Sequence, residues 1–129
     1  MPENGYYEKR PRPEQRQFLI KYLNARDNVR EVVQADEHRL IVSRWSQSDI
    51  HIYLSNQYTI AMADVIEILE EAPDTTCIVS TMDYNHYTAE AKEYARDQDI
   101  GLFKSKEFLG AVYYDGDRFL DYVPPERRS

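Results

Sequence analysis

Residues 77–103, with the sequence CIVSTMDYNHYTAEAKEYARDQDIGLF, decide the fold of this chain. The run Cys77-Ile78-Val79 is apolar without polar alternation, which predicts a strand buried on both faces. Thr88 is predicted to cap a helix over residues 89–98, and a second short strand follows at residues 100–103. A strand, a helix and a strand in this order predict two parallel strands joined by a right-handed crossover.

The residues ahead of this unit predict a helix, three strands and a second helix. Pro13 suits the first turn of a helix, and the predicted buried stripe of that helix is Phe18, Leu19, Tyr22 and Leu23. Strands over 29–34, 40–45 and 50–55 are close enough in sequence for an antiparallel meander. Residues 60–71 follow the i, i+3, i+4, i+7 pattern of an amphipathic helix. The predicted fold class is α/β, with a mixed sheet and the order α-β-β-β-α-β-α-β.

The predicted domain organisation is one α/β domain over residues 13–123, with flexible tails at 1–12 and 124–129. Ser105 is predicted to cap a brief helix, and Asp115-Gly116 is a tight-turn signal that predicts a small hairpin between Tyr113-Tyr114 and residues 118–120. No apolar run approaches the roughly 18–20 residues that span a bilayer, so we expect no membrane association. The single cysteine, Cys77, is predicted to be an inert core thiol, and a reducing cytoplasm is the expected location.

The net charge of −7, from 16 basic and 23 acidic residues, disfavours nucleic acid as a partner. The basic residues are scattered, apart from groups at the two ends of the chain. Binding of DNA would require Arg26, Arg30, Arg39 and Arg44 to converge on one surface. A nuclease would require a carboxylate pair in one cleft, such as Asp49 with Asp83 or Glu31.

The order of elements and the second half of the chain carry a family resemblance. The residues that carry it are Cys77-Ile78-Val79-Ser80-Thr81, Tyr87-Thr88, Ala91, Ala95, Ile100 and Leu102. This pattern is similar to the last part of Mrr-type restriction domains, and the resemblance implies a restriction-endonuclease-like core. The nucleases of that fold hold Mg²⁺ with an Asp and a Glu-x-Lys on neighbouring strands. Residues 40–45 and 51–56 offer no such set, and Asp49-x-His51 lacks the lysine, so the resemblance implies a lost catalytic site.

A second resemblance covers more of the chain but implies no activity. It is to a group of small proteins found mainly in halophilic archaea. It is carried by Tyr87–Tyr94, Gly101–Lys104 and Glu107–Ala111.

The candidate ligand site is the loop that leads from the buried strand into the next helix. Open α/β sheets bind ligands at this position. Its candidate residues are Asp83, Tyr84, Asn85, His86, Tyr87 and Thr88. The alternative is a capped loop whose polar residues satisfy their own backbone and whose tyrosines pack on neighbouring helices.

Eleven tyrosines in a chain of 129 residues suggest a surface that binds another protein. The candidate partner-binding residues are Tyr53, Tyr58, Tyr113 and Tyr114, and the alternative is that such residues close sheet edges and helix seams.

No pair of histidines has metal-ligand spacing, so we expect no metal. We also expect no cofactor and no catalytic residues. The sequence favours an interaction or regulatory module that binds a protein partner or a second copy. A nucleic-acid-processing protein and a small-ligand binder remain alternatives.

Overall fold

The computed structural model describes residues 10–125. The five helices of this range are α1 (Pro13–Asn24), α2 (Met62–Glu71), α3 (Ala89–Asp97), α4 (Ser105–Ala111) and α5 (Gly116–Leu120). The main sheet consists of β1 (Val29–Gln34), β2 (Arg39–Arg44), β3 (Ile50–Ser55), β5 (Cys77–Ser80) and β7 (Gly101–Lys104), and a two-stranded sheet is formed by β4 (Thr59–Ile60) and β6 (His86–Tyr87). Residues 1–9 and 126–129, which make up most of the predicted tails, lie outside the described range.

The five-stranded sheet has the order β1-β2-β3-β5-β7. Strands β1, β2 and β3 form the predicted antiparallel meander. Strand β5 lies parallel between β3 and β7, and all four of its residues are buried. The mixed α/β class and the parallel strand–helix–strand unit are therefore confirmed. The parallel strands β3, β5 and β7 have their C-terminal ends at the same end of the sheet, which we name the carboxyl end. The opposite end, where these strands begin, is the amino end.

Two hydrophobic layers pack on opposite faces of the sheet. One layer places Leu19 and Leu23 of α1 and Phe108 of α4 against one face of the sheet. The other places Val65 of α2 and Ala91 of α3 against the opposite face. Thr88 caps α3 as predicted, because its Oγ1 accepts a hydrogen bond of 3.0 Å from the backbone N–H of Ala91.

Glycine is required at the start of β7 because two aromatic rings approach its backbone. A Cβ atom on Gly101 would lie 2.7 Å from ring atoms of both Phe103 and Phe119. The rings of Phe103 and Phe119 meet edge to face with their centroids 5.3 Å apart, a favourable aromatic arrangement. This contact packs α5 against β7 of the sheet.

The predicted hairpin at Asp115-Gly116 is wrong, because residues 116–120 form helix α5. Its consecutive residues Phe119 and Leu120 are both buried in the same layer, whereas a half-exposed strand would turn one of them to solvent. The turn signal instead marks the helix start, where the Asp115 carboxylate is bound by side chains from the meander.

Three smaller sequence predictions also differ from the structure. Phe18 and Tyr22 of the predicted α1 stripe are largely exposed and contact each other with ring centroids 4.7 Å apart. Helix α2 begins at Met62 because residues 59 and 60 pair with β6. Ser105 is the first residue of α4, and its hydroxyl donates to the carbonyl of Ser80.

No helix within residues 10–125 combines the length and the apolar character needed to cross a bilayer.

Candidate functional site

Most polar residues of the predicted ligand loop are occupied by contacts within the protein. Asn85 is buried, and its amide donates to the carbonyl and to the Oδ1 of Asn56 at 3.2 and 3.1 Å. The hydroxyl of Tyr87 donates to Glu107 at 2.8 Å, and Nε2 of His86 lies 3.0 Å from the hydroxyl of Thr59. These contacts join β3, β4 and β6 to α4, as the structural alternative for this loop predicts.

Two residues of that loop present their side chains to solvent. Tyr84 is exposed beside the equally exposed Tyr58, with ring centroids 6.5 Å apart, and the edge of Tyr58 meets the His86 ring at 5.0 Å. Asp83 lies 3.8 Å from Lys106 in an exposed ion pair. The loop therefore contributes a small aromatic surface at the carboxyl end of the sheet.

The four tyrosines predicted to bind a partner do not share one surface. Tyr53 is buried, with 7% of its area exposed, and its hydroxyl donates to Glu71 of α2. Burial, reinforced by the Glu71 charge, raises the pKa of Tyr53. Tyr53 is therefore corrected from a partner-binding to a core residue. Tyr58 lies at the carboxyl end, exposed Tyr113 packs near Arg26, and the ring of Tyr114 is stacked on Tyr122.

The predicted requirements for DNA binding and cleavage are not met by the residues named for them. Arg30 is paired with Glu31 at 3.6 Å, and Arg39 with Asp36 at 2.7 Å. Arg26 donates to the carbonyl of Leu109. Because Arg26 and Arg44 are held by other contacts, the four arginines do not converge on one surface.

The carboxylates named for a nuclease are likewise dispersed. Asp49 lines a cavity at the amino end of the sheet, whereas Asp83 belongs to the carboxyl end. Glu31 lies on β1, beside Arg30. Within residues 10–125, no three His, Cys, Asp or Glu side chains are grouped as metal ligands. Cys77 is fully buried, and this burial raises the pKa of its thiol, which suppresses the reactive thiolate.

Arg44, which sequence reasoning offered as a DNA contact, is instead an internal clamp at the amino end of the sheet. Its side chain is 1% exposed and pairs with Asp115 at 2.9 Å. The guanidinium also donates to the carbonyls of Ser48, Val112 and Tyr114 at 2.8, 2.9 and 2.6 Å. Burial lowers the pKa of Arg44, and the Asp115 charge opposes that effect. The clamp fixes the connection between α4 and α5 to strand β2.

Asp115 gives the protein a dependence of stability on pH. Burial alone raises the pKa of this carboxyl, but hydrogen bonds from the Ser48 hydroxyl and N–H and the charge of Arg44 outweigh it and hold the pKa below its usual value. A carboxyl with a lowered folded-state pKa stabilises the fold above its unfolded pKa of about 3.9 and loses this contribution as pH falls through the folded value.

We expect Asp115→Asn to reduce the free energy of unfolding at pH 7 and to have a smaller effect near pH 2.5 to 3, because the wild-type carboxyl is itself neutralised as pH falls toward its lowered pKa. Urea denaturation of both proteins between pH 2.5 and 7 measures this difference. Asp83→Asn, an exposed carboxylate at the opposite end of the sheet, is the matched control. A loss of equal size at every pH would contradict the role given to the Asp115 charge.

On the face opposite α1, α2 packs on Tyr53 of β3, whereas the neighbouring strands β1 and β2 carry exposed apolar side chains. Leu40 and Val42 of β2 face the layer of α1, whereas Ile41 points to the opposite face. Ile41 is paired there with Val33 of β1, which is 43% exposed. Trp45, the only tryptophan of the chain, continues the same alternation and is 67% exposed.

Charged side chains surround these apolar residues. Arg30 lies over the Trp45 ring at 5.9 Å and pairs with Glu31 at 3.6 Å. On the other side, Arg39 approaches Asp74 at 4.0 Å. We name the surface formed by Trp45, Val33, Ile41, Arg30, Glu31, Arg39 and Asp74 the meander face. Sequence reasoning missed it, although the adjacent apolar pairs Val32-Val33 and Leu40-Ile41 indicate strands with two apolar faces.

A second surface lies where the start of α1 meets the carboxyl end of the sheet. A cavity of about 520 Å³ is lined there by Arg10, Pro11, Arg12, Pro13, Glu14, Arg16, Glu37 and Asn56. We name it the arginine cavity. Asn56 also binds Asn85, so the cavity adjoins the aromatic surface of Tyr58 and Tyr84.

The fold and these surfaces define a mixed α/β domain with a five-stranded sheet, one face of which is exposed over β1 and β2. In comparisons with known proteins, the chain matches no protein-family model, no curated protein and no solved structure.

Proposed function

We propose that the chain is an interaction module that pairs with a second copy of itself through the meander face. The observation that supports this proposal most is the exposure of Trp45 and Val33 over β1 and β2, on the part of the sheet face that α2 and α3 leave uncovered. An apolar centre within a polar rim is the usual anatomy of a protein interface. Exposed tryptophan is also enriched among residues that dominate binding energy.

A second copy is the favoured occupant because the charges of the meander face are self-complementary. The face carries two positive and two negative side chains, Arg30, Arg39, Glu31 and Asp74. A two-fold axis lets residue i contact j′ while j contacts i′. Arg30 of one copy can then meet Glu31 of the other, and the reciprocal pair forms at the same time. The restriction-endonuclease-like core remains part of this proposal at the level of fold only, as the scaffold that presents the meander.

Salt provides a distinctive signature of this pairing. The whole chain carries a net charge of −7, so two copies repel each other at long range. Salt screens this repulsion and also the ion pairs of the rim, but exposed pairs contribute little, and the apolar contact at the centre of the face is not weakened by screening. We therefore expect association to strengthen between about 0.05 and 0.5 M salt, the opposite of the salt response of a nucleic-acid complex.

Val33→Glu and Trp45→Ala are expected to convert the pair to monomers, because each removes apolar area from the centre of the face and Val33→Glu also buries an unpaired charge. Sedimentation velocity over a hundredfold range of concentration measures the change. The fluorescence emission of Trp45 is a second readout. It should change with concentration in the wild type, where pairing covers Trp45, and should not change in Val33→Glu. Both variants should keep the wild-type melting temperature within a few degrees, since the altered side chains are exposed.

Tyr84→Ala is the control for these variants, because it removes an exposed aromatic ring at the other end of the molecule. It should leave self-association unchanged. A wild-type protein that stays monomeric at high concentration and high salt would refute the proposal. So would pairing that Tyr84→Ala weakens as much as Trp45→Ala does.

A further inference from the structure

The arginine cavity concentrates positive charge in a chain that is acidic overall. Three guanidinium groups, from Arg10, Arg12 and Arg16, line it together with the carboxylates of Glu14 and Glu37. The lining therefore carries a net charge of +1, against −7 for the whole chain. Concave walls of low dielectric focus such a local charge and raise the concentration of counter-ions within the cavity.

Two arginines of the cavity, Arg10 and Arg16, contact Glu37. Arg16 donates from Nη1 to the carbonyl of Glu37 at 3.1 Å, and its Nε is buried without a hydrogen-bond partner among the described residues. Arg10 approaches the Glu37 carboxylate at 3.7 Å, which is longer than a charge-assisted hydrogen bond. A buried donor without a partner costs free energy, and a rotation of the Arg16 side chain toward an anion in the cavity would give this donor an acceptor.

The position of the cavity adds a stacking surface to this charge. Asn56 follows the last residue of β3, and Tyr58 is two residues farther along the chain. Two residues span at most about 7 Å, so the backbone of Tyr58 lies within this distance of Asn56, and the Tyr58 ring lies beside that of Tyr84 with the centroids 6.5 Å apart. The distance from the phosphates of a nucleotide to its base is of this order. Aromatic rings bind bases by stacking, with little dependence on which base is present.

We propose that the arginine cavity binds the phosphate chain of a nucleoside polyphosphate, with the base stacked on Tyr58. Arginine suits this task because its planar fork donates two hydrogen bonds to phosphate oxygens. The phosphates take the place of the Glu37 carboxylate beside Arg10. This site lies at the opposite end of the sheet from Trp45 and does not depend on self-association.

The test is calorimetric titration of the full chain with inorganic pyrophosphate and with adenosine triphosphate at low salt. Arg16→Gln is expected to weaken both about tenfold or more, since it removes a charged donor to phosphate. Glu37→Gln is expected to strengthen both, because it removes the competing carboxylate. Tyr58→Ala is expected to weaken adenosine triphosphate alone and to leave pyrophosphate unchanged.

Arg118→Gln is the matched control, because Arg118 lies on α5 beside Tyr114 and outside the cavity. It should change neither affinity, and each variant should keep the wild-type melting temperature. Absence of binding at millimolar probe, or equal losses in Arg118→Gln and Arg16→Gln, would overturn the site. Equal affinities for the two probes would overturn the nucleotide assignment and leave a phosphate site. Tighter binding of a thymidine oligonucleotide than of adenosine triphosphate would overturn it in favour of single-stranded nucleic acid.

Discussion

Replacement of Arg44 by alanine is expected to lower the free energy of unfolding by about 3 kcal/mol or more, the range observed when one partner of a buried ion pair is removed. The loss leaves the carbonyl of Tyr114 without its side-chain donor, while the carbonyl of Val112 keeps the hydrogen bond from Asn28. Asp115 is partly exposed and regains water. Most of the cost therefore comes from the hydrogen bonds lost at these carbonyls and from the cavity that the side chain leaves.

Arg44→Lys and Arg44→Met separate the parts of this effect. Lysine keeps the charge but has no planar fork, so it cannot reach Ser48, Val112, Tyr114 and Asp115 together, and we expect it to recover less than half of the loss. Methionine restores volume alone. Urea denaturation followed by circular dichroism measures all three. A loss below about 1 kcal/mol for Arg44→Ala, the size of an exposed pair, would contradict the clamp.

Phe103→Ala is expected to cost about 4 kcal/mol, as large aromatic truncations in a core do. Phe103 is fully buried on β7, where its ring contacts Phe108 and Phe119 with centroids 6.4 and 5.3 Å away. Lys92 of α3 also places its ammonium group 4.0 Å from the centre of this ring. Burial lowers the pKa of Lys92, and the Glu107 charge opposes this effect. Loss of the ring therefore leaves a cavity and removes a cation–π partner.

Phe18→Ala is the matched control for this prediction. It is the same substitution at a residue that is 43% exposed on α1, and we expect it to cost less than about 1 kcal/mol. Thermal and urea unfolding of both variants gives the comparison. Similar losses of unfolding free energy at the two positions would show that the rings of Phe103, Phe108 and Phe119 do not form the centre of the core.

The helices and strands could be predicted from the sequence where residues close together in the chain determine them. The apolar run at 77–79 predicted the buried central strand, because only a strand covered on both faces lacks polar alternation. Thr88 predicted the start of α3 through its capping chemistry. The hairpin at Asp115-Gly116 failed because the same two residues suit a turn and a helix start. The contact that decides between them comes from Arg44, 71 positions away.

The surfaces were less predictable because exposure depends on which helix covers which strand. Nothing in the alternation of β3 indicates that α2 covers Tyr53 while leaving the neighbouring meander open. Arg10 and Arg12 were read as part of a tail, since the partners that surround them, Glu37 and Asn56, are distant in sequence. Conversely, the buried amide of Asn85 and the cap of Thr88 explain why a polar loop need not be a ligand site.

The clamp at Arg44 also bears on how the chain folds during synthesis. The carbonyls of Val112 and Tyr114 follow Arg44 by 68 and 70 residues. A ribosome adds roughly 5–20 residues per second, so for several seconds the emerging meander carries a guanidinium without its final acceptors. The layer that α1 covers cannot close over a charge that still needs water. We therefore expect the nascent sheet to stay open on this side until residues 112–115 have emerged, and the domain to close only after nearly all of it has been made.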